Sequence, residues 1–193
     1  TVTGVQTCAL PISNALEDID RLNGLIGNIL VAARLEGHVY EVKKERGDLS
    51  ASVQELSRKL RSLLKSGQQL EVDISQGIVT QYDLGALLSI LNNLVENASK
   101  YSPEHSVIRL HLERKERYAL LSVADHGGGI PVSEREKIFE RFYRSGSEET
   151  RRTKGTGLGL YIVKHLVDSH GWKISVQDNP GGGSIFIIRI PLA

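Results

Sequence analysis

The stretch Asp83–Tyr101, DLGALLSILNNLVENASKY, carries the clearest structural signal in the chain. At about 100° per residue, its apolar residues share one helical stripe: Leu84, Leu87, Leu88, Leu91, Leu94, Val95 and Ala98. Asn93, Asn97 and Lys100 fall on nearly the opposite face. A merely solvated face would favour Glu, Lys or Ala over Asn. We therefore predict a helix capped by Asp83, whose polar face suits a cation bound between phosphates.

The segments around this helix predict an α+β domain, with helices layered on one mixed sheet. Asp48 caps a second predicted helix, which carries Val53, Leu56, Leu60, Leu63 and Leu64. Strands are predicted at 70–74, 107–113, 118–124, 172–177 and 184–190, the last two joined by the turn Asn179-Pro-Gly-Gly-Gly183. A third helix is predicted at 158–169, ended by Gly171, and a short one after a capping box of Ser133 and Glu136.

Residues 14–46 have a different character. Apolar residues at Ile19, Leu22, Ile26, Ile29 and Ala33 alternate by steps of three and four, which is the seam of a helical bundle. The polar residues 38–47 read as a linker, so we expect the α+β domain to occupy 47–193. Residues 1–13 show no periodicity, and their back-translation resembles a common sequencing-adapter oligonucleotide. The alternative is a natural disordered terminus.

The composition of the chain argues against several kinds of partner and site. The 193 residues include 24 Lys and Arg against 23 Asp and Glu, so the net charge of +1 offers no field for a nucleic acid partner. No apolar run approaches the roughly 20 residues that span a bilayer. The single cysteine excludes an internal disulfide framework and a multi-cysteine zinc site.

Asp125 ends a strand and is followed by His126-Gly127-Gly128-Gly129-Ile130. A carboxylate there can accept a hydrogen bond from an exocyclic amine, and glycines let the backbone approach a flat ring. A simple turn after a strand is the alternative. We expect His126 to be an exposed turn residue.

The stretch Gly155-Thr156-Gly157-Leu158-Gly159-Leu160 opens the third helix. Free N–H groups at a helix N-terminus suit phosphate. Arg144, Arg151, Arg152 and Lys154 lie just upstream, either as solvated charges or as groups that gate the site.

In this order the motifs resemble those of sensor histidine kinases. Asn93-Leu-Val-Glu-Asn97-Ala-Ser-Lys100-Tyr101 resembles the N box, Phe139-Glu-Arg-Phe142 the F box, and the stretches from Asp125 and Gly155 two glycine boxes. The resemblance implies a Bergerat-type ATP site under a mobile lid of residues 131–154. It implies that Asp125 reads the adenine amine, that Asn97 with Asn93 holds Mg²⁺, and that Lys100 meets phosphate. The other nucleotide-binding residues it implies are Tyr101, Gly127, Gly129, Ile130, Phe142, Arg144, Lys154, Gly155, Thr156, Gly157, Leu158, Gly159 and Leu160.

The resemblance also implies partners and location. Residues 14–37 look like the second helix of a dimerisation and phosphotransfer bundle, so the longer parent is expected to form a homodimer and to pass phosphate to a response regulator receiver domain. The domain is expected in the cytoplasm, with the parent anchored in the bacterial inner membrane. The phosphoacceptor His of the family lies in a motif like His-Glu-Leu-Arg-Thr-Pro, and none of the six histidines here has that context. His126 replaces a usual Asn, and Lys154 a common Gly.

Three alternatives share the expected fold. ATPases of this type place a water-activating carboxylate four residues before the metal Asn, where this chain has Asn93. Serine-directed anti-sigma kinases are disfavoured by the bundle helix and the F box. A nucleotide-binding scaffold without catalysis is disfavoured by the intact boxes.

Overall fold

Five strands form the main sheet of the computed structural model, which describes residues 19, 26–27, 29–33, 37, 41–144 and 156–192. Its strands are β2 (Gln69–Ile74), β4 (Val107–Arg114), β5 (Tyr118–Ala124), β6 (Lys173–Asp178) and β7 (Ser184–Pro191). They lie in the order β2-β4-β5-β7-β6, and of these neighbouring pairs only β2–β4 is parallel. Two short strands, β1 (Glu45–Asp48) and β3 (Val79–Tyr82), pair with each other in a separate antiparallel ribbon.

Within the described residues, three helices accompany the sheet, namely α1 (Leu49–Leu60), α2 (Leu84–Tyr101) and α3 (Gly159–Ser169). Asp48 caps α1 by accepting from the N–H of Ala51 at 3.0 Å, and Asp83 caps α2 by accepting from the N–H of Ala86 at 3.0 Å. Both caps were predicted from the sequence and are confirmed. Single 3₁₀ turns occur at Arg61–Leu63, Val132–Glu134 and Lys137–Phe139.

The core lies between the helices and one face of the sheet. Ile108, Leu110 and Leu112 alternate with exposed or half-buried residues along β4, and β5 and β7 repeat the pattern. The stripe of α2 contributes Leu87, Leu91, Leu94, Val95 and Ala98, all buried. Apolar side chains recur at every second residue on the strands and about every 3.6 residues on the helix, and both sets are buried in one apolar layer. The predicted α+β class, with helices on one mixed sheet, is confirmed.

Several local predictions were wrong. Leu84 is 55% exposed and Leu88 half-buried, whereas Ile90, which was left off the stripe, is fully buried. The first helix ends at Leu60, so Leu63 lies in a 3₁₀ turn and Leu64 beyond it. Ser133 and Glu136 form no capping box, because neither 3₁₀ turn near them has a side-chain cap. Residues 45–47, expected in the linker, lie in β1.

The chain divides into two compact units, Thr1–Tyr40 and Glu41–Ala193. In the first unit residues 26–27 and 29–33 are helical, and Ile19, Ile26, Ile29 and Leu30 are more than half exposed. Leu22 and the suspected adapter residues lie outside the described residues. No helix in the described ranges is long and apolar enough to cross a membrane.

Candidate functional site

The polar face of α2 forms one wall of the candidate site. Asn93, Asn97 and Lys100 are each half-buried on this face. Asn93 donates from Nδ2 to the carbonyl oxygen of Ser89 at 2.9 Å, and its Oδ1 accepts no hydrogen bond from the residues that the structure describes. The side chain of Asn97 makes no hydrogen bond to any residue in the described ranges. Lys100 Nζ lies 3.3 Å from the hydroxyl of Tyr101 and 4.8 Å from the centre of its ring.

Asp125 lies at the end of β5, and only 6% of its surface is exposed. Its Oδ1 accepts hydrogen bonds from the N–H groups of Gly127 at 2.8 Å and Ser184 at 3.1 Å. Its Oδ2 accepts none within the described part of the chain, and is therefore the oxygen available to a ligand. Burial raises the pKa of Asp125, although those two N–H groups and the nearby His126 oppose the rise.

The loop after β5 packs against the C-terminus of α2. The N–H of His126 donates to Ser102 Oγ at 3.1 Å, and a Cβ at Gly127 would lie 2.9 Å from the Tyr101 carbonyl oxygen. These contacts bring Asp125 beside the N-box residues, although 24 positions separate Ser102 from His126. The expectation that His126 is an exposed turn residue was wrong. It is half-buried and donates from Nδ1 to the Val107 carbonyl oxygen at 2.9 Å.

The N-terminus of α3 forms the second wall. Leu158 precedes the helix, and no side chain in the described ranges caps its first-turn N–H groups. A Cβ at Gly159 would lie 2.7 Å from Asn93 Oδ1, so this helix start directly touches the polar face of α2. Thr156 Oγ1 accepts from the N–H of Leu158 at 3.3 Å, and Leu160 is half-buried in the first turn. An uncapped helix N-terminus attracts anions.

Phe142, the last residue of the F box in the expected lid, contacts Gly157 of the last glycine box. The N–H of Phe142 donates to the Gly157 carbonyl oxygen at 3.0 Å. Gly157 has φ +70°, and a Cβ there would lie 2.7 Å from the Phe142 carbonyl carbon, so only glycine fits. Phe142 is itself left-handed, with φ +61° and 57% exposure.

The remaining predicted residues divide into two groups. Gly129, Ile130 and Arg144 are half-buried, and the Ile130 carbonyl oxygen accepts from Arg135 Nε at 3.1 Å. Arg151, Arg152, Lys154 and Gly155 lie outside the described residues.

Two residues that hold Asp125 were missed by the sequence analysis. They are Ser184, whose N–H bonds the carboxylate, and Asn179, whose Nδ2 donates to the Asp125 carbonyl oxygen at 2.7 Å. The turn Asn179–Gly183 was recognised as a hairpin, but no local pattern showed that it folds onto Asp125.

A buried carboxylate, a face of amide oxygens and an open helix N-terminus thus meet in one unit of the chain. No group of three His, Cys, Asp or Glu side chains in the described ranges could hold a metal ion. The amide oxygens of Asn93 and Asn97 are ligands of the hard type that Mg²⁺ prefers. Together these features define the site of a nucleotide-binding α+β domain.

Comparison with known proteins assigns the family. Residues 82–193 match the family model described as histidine kinase-, DNA gyrase B-, and HSP90-like ATPase. The sensor histidine kinase TmoS of Ectopseudomonas mendocina is 34% identical over 169 residues, which is 86% of this chain and 17% of TmoS. The sensor protein SrrB of Staphylococcus aureus is 32% identical over 177 residues, which is 91% of this chain and 30% of SrrB. The chain thus spans less than a third of the length of these curated relatives.

Solved structures of sensor histidine kinases are also similar to this chain. The mycobacterial sensor histidine kinase MprB is 30% identical with a TM-score of 0.68, over 78% of this chain and 98% of that one. Full-length ShkA in complex with AMPPNP is 26% identical with a TM-score of 0.79, over 100% of this chain and 40% of that one. The chain belongs to the family of histidine kinase-, DNA gyrase B- and HSP90-like ATPases, and carries the ATP-binding catalytic domain of the sensor histidine kinase type.

Proposed function

We propose that this domain transfers the γ-phosphoryl group of Mg-ATP to a histidine on a bundle helix outside the present sequence. The observation that carries the proposal is the meeting of Asp125, the Asn93–Asn97 face and the start of α3 in a single site. The relatives are named sensor histidine kinases, and the ShkA structure contains an ATP analogue, which supports the same ligand here.

The base is read by Asp125. Both N–H groups that bond this carboxylate converge on Oδ1, so Oδ2 is left to accept from the exocyclic amine of adenine. Guanine presents a carbonyl oxygen at the same position, which a carboxylate repels. The ring lies beside Gly127, Gly129 and Ile130, with Tyr101 nearby.

The phosphates are held by the two facing walls. The first-turn N–H groups of α3, with the glycine box from Gly155 to Leu160, bind the phosphate oxygens. Lys100 on α2 would contact them, and the family resemblance assigns the same role to Phe142, Arg144 and Lys154. Because Lys100 and the first turn of α3 belong to packed helices, little reorganisation of these groups is needed when charge develops.

The residues fit a magnesium ion. Neither the Asn97 side chain nor Asn93 Oδ1 has a hydrogen-bond partner among the described residues, and both offer hard oxygen ligands beside the proposed phosphate site. Mg²⁺ bound there would neutralise charge on the triphosphate. Asn93, Asn97 and Lys100 position the γ-phosphoryl group for in-line attack.

Transfer to a protein fits this site better than hydrolysis. The position from which related ATPases activate water holds Asn93, which is not a base. Glu96 is the nearest carboxylate on α2, but it is exposed and points about 100° away from Asn97. The accepting histidine comes from another helix, because no histidine here has the phosphoacceptor context.

The partners follow from this role. We infer that the longer parent dimerises through a bundle that includes residues 14–37, and that it delivers phosphate to a response regulator receiver domain. The catalytic domain would work in the cytoplasm, with the parent anchored in the inner membrane.

A phosphotransfer assay tests the proposal. The chain is incubated with γ-labelled ATP, Mg²⁺ and a separately supplied bundle that contains a His-Glu-Leu-Arg-Thr-Pro motif. We expect acid-labile phosphate on that bundle, and none on a control bundle whose histidine is replaced by alanine. Acid-stable label would instead indicate a serine kinase, and ATP binding without label would indicate a scaffold.

A further inference from the structure

The turn between β6 and β7, Asn179–Gly183, folds onto Asp125. The N–H of Asp125 donates to the Ser184 carbonyl oxygen at 2.9 Å, and Asn179 Nδ2 donates to the Asp125 carbonyl oxygen at 2.7 Å. Asn179 and Asp125 are 54 positions apart. The backbone of Asp125 is therefore held on both sides by one hairpin.

The hairpin approaches Asp125 as closely as a backbone can. Gly183 has φ +96°, and a Cβ there would lie 2.2 Å from the Asp125 carbonyl oxygen and 2.7 Å from its Oδ1. No other residue type fits between the turn and the carboxylate. The turn and Asp125 are thus in direct contact.

The turn does not need the Asn179 side chain for its own shape. The N–H of Asn179 donates to the Gly183 carbonyl oxygen at 3.1 Å, and the N–H of Gly182 donates to the Asn179 carbonyl oxygen at 2.9 Å. These two backbone bonds close the turn whatever side chain occupies position 179. The amide of Asn179, half-buried, is directed instead to Asp125.

We propose that Asn179 is a positioning residue for base recognition. Its amide holds the Asp125–His126 peptide, and so directs Oδ2 of Asp125 towards the exocyclic amine of the base. The inference rests on the proposed function, because it takes Asp125 as the group that reads adenine. Without the amide, the carbonyl oxygen of that peptide loses this side-chain bond and only its N–H stays bonded, to Ser102 Oγ, so the carboxylate is held less firmly in its direction.

Inosine triphosphate separates this role from a structural one. It has a carbonyl oxygen where ATP has the amine, so the direction of the Asp125 carboxylate gives it no benefit. Dissociation constants of ATP and inosine triphosphate, each with Mg²⁺, are measured for the full chain and for Asn179→Ala and Asn179→Asp. Gln177→Ala, an exposed amide in the same hairpin, is the matched control.

We expect Asn179→Ala to weaken ATP binding about three- to tenfold, the effect of one hydrogen bond, and to change inosine triphosphate binding less than twofold. Asn179→Asp, which has the same size but no amide donor, should also lose preference for ATP, whereas Gln177→Ala should keep it. Combined with Asp125→Asn, the Asn179→Ala change should cost nothing further, because the two residues act as one unit.

Equal weakening of both nucleotides, or unchanged ATP binding in Asn179→Ala, would overturn the inference and leave the proposed function intact. If the unaltered chain bound neither nucleotide, the proposed function itself would fall, and this inference with it. If it bound both equally, Asp125 would not read adenine, and this inference would fall while phosphoryl transfer remained open to its own assay.

Discussion

Asn97 lies on a helix whose opposite face is buried in the core, so its side chain can be removed without disturbing packing. We expect Asn97→Ala to abolish the Mg²⁺-dependent part of ATP binding while the fold remains intact. Isothermal titration with and without Mg²⁺ measures the first effect, and circular dichroism the second. Asn92→Ala, a half-buried amide one position away from Asn93, is the control and should bind as the unaltered chain does. Undiminished Mg-ATP affinity in Asn97→Ala would remove Asn97 from the site.

A substitution at Asp125 should affect both nucleotide binding and the stability of the fold. In Asp125→Asn an amide NH₂ can take the place of the acceptor Oδ2. Two donors then face each other, the amide and the adenine amine, so we expect ATP binding to lose about 1–3 kcal/mol. Because burial raises the pKa of Asp125, the charged form is disfavoured in the fold, and the neutral variant should be at least as stable. Titration calorimetry and thermal unfolding test the two parts. Equal affinity of the unaltered chain for ATP and GTP would contradict the assignment.

At the scale of secondary-structure elements, His170 lies at the C-terminus of α3 and bonds to three segments: α3 itself, the start of α2 and the segment before β1. It donates from Nδ1 to the Leu166 carbonyl oxygen at 2.7 Å, and its Nε2 accepts from the N–H of Asp83 at the start of α2, at 3.2 Å. Its own carbonyl oxygen accepts from Lys44 Nζ at 3.0 Å, in the segment before β1. The ring must be neutral to make both of its bonds. Burial lowers its pKa, and the charge of Lys44 adds to this against the opposing effects of Leu166 and Asp83.

This lowered pKa predicts a loss of stability in acid. Below about pH 6.5 the unfolded chain protonates His170 and the folded chain does not, so the free energy of unfolding falls as the pH decreases. The contribution is complete above pH 6.5, and its slope is at most about 1.4 kcal/mol per pH unit. Urea unfolding between pH 5 and 7.5 should show a flatter profile for His170→Gln than for the control His165→Gln. Equal slopes in the two variants would refute the prediction.

At the scale of the whole molecule, the two compact units differ in how well they bury apolar surface. The unit Glu41–Ala193 has a core of its own, whereas Ile19, Ile26, Ile29 and Leu30 of the first unit are more than half exposed. Burying each such side chain is worth roughly 1.5–3 kcal/mol, which favours self-association. Deletion of residues 1–37 should therefore improve solubility, seen by size-exclusion chromatography, and leave the ATP dissociation constant unchanged. Weaker ATP binding after the deletion would show that the first unit contributes to the site.

The intact chain should not label itself. None of its six histidines has the phosphoacceptor context, and the buried His170 is bonded to backbone through both ring nitrogens. We expect no acid-labile phosphate on the chain after incubation with γ-labelled Mg-ATP, and slow release of phosphate at most. Stable labelling of any histidine present here would disprove this.

Features that depend on neighbouring residues were predictable from the sequence. The caps Asp48 and Asp83 each bond an N–H three positions ahead, and β5 was predicted with its observed ends, because both depend on a few adjacent side chains. The stripe of α2 was mostly correct for the same reason. Its errors, exposed Leu84 and buried Ile90, arise because what covers a helix depends on its neighbours in space.

The site itself was predicted only in part. Its residue types and their order were readable, because each box is contiguous. The pairing of β1 with β3 could not be predicted, because neither strand is long enough to show a period and the paired residues lie more than 30 positions apart.

The sequence by itself determined the helix caps, the strand pattern and the four boxes. Only the tertiary structure placed Asn93 against Gly159, Ser102 against His126 and Asn179 against Asp125. Such contacts form when the buried faces of distant segments are packed in one register, and that register is a property of the whole sheet and its helices. Local residue order contains no record of it: the Asp125 carbonyl oxygen accepts from Asn179, 54 positions away, and the Asp125 carboxylate from Ser184, 59 positions away.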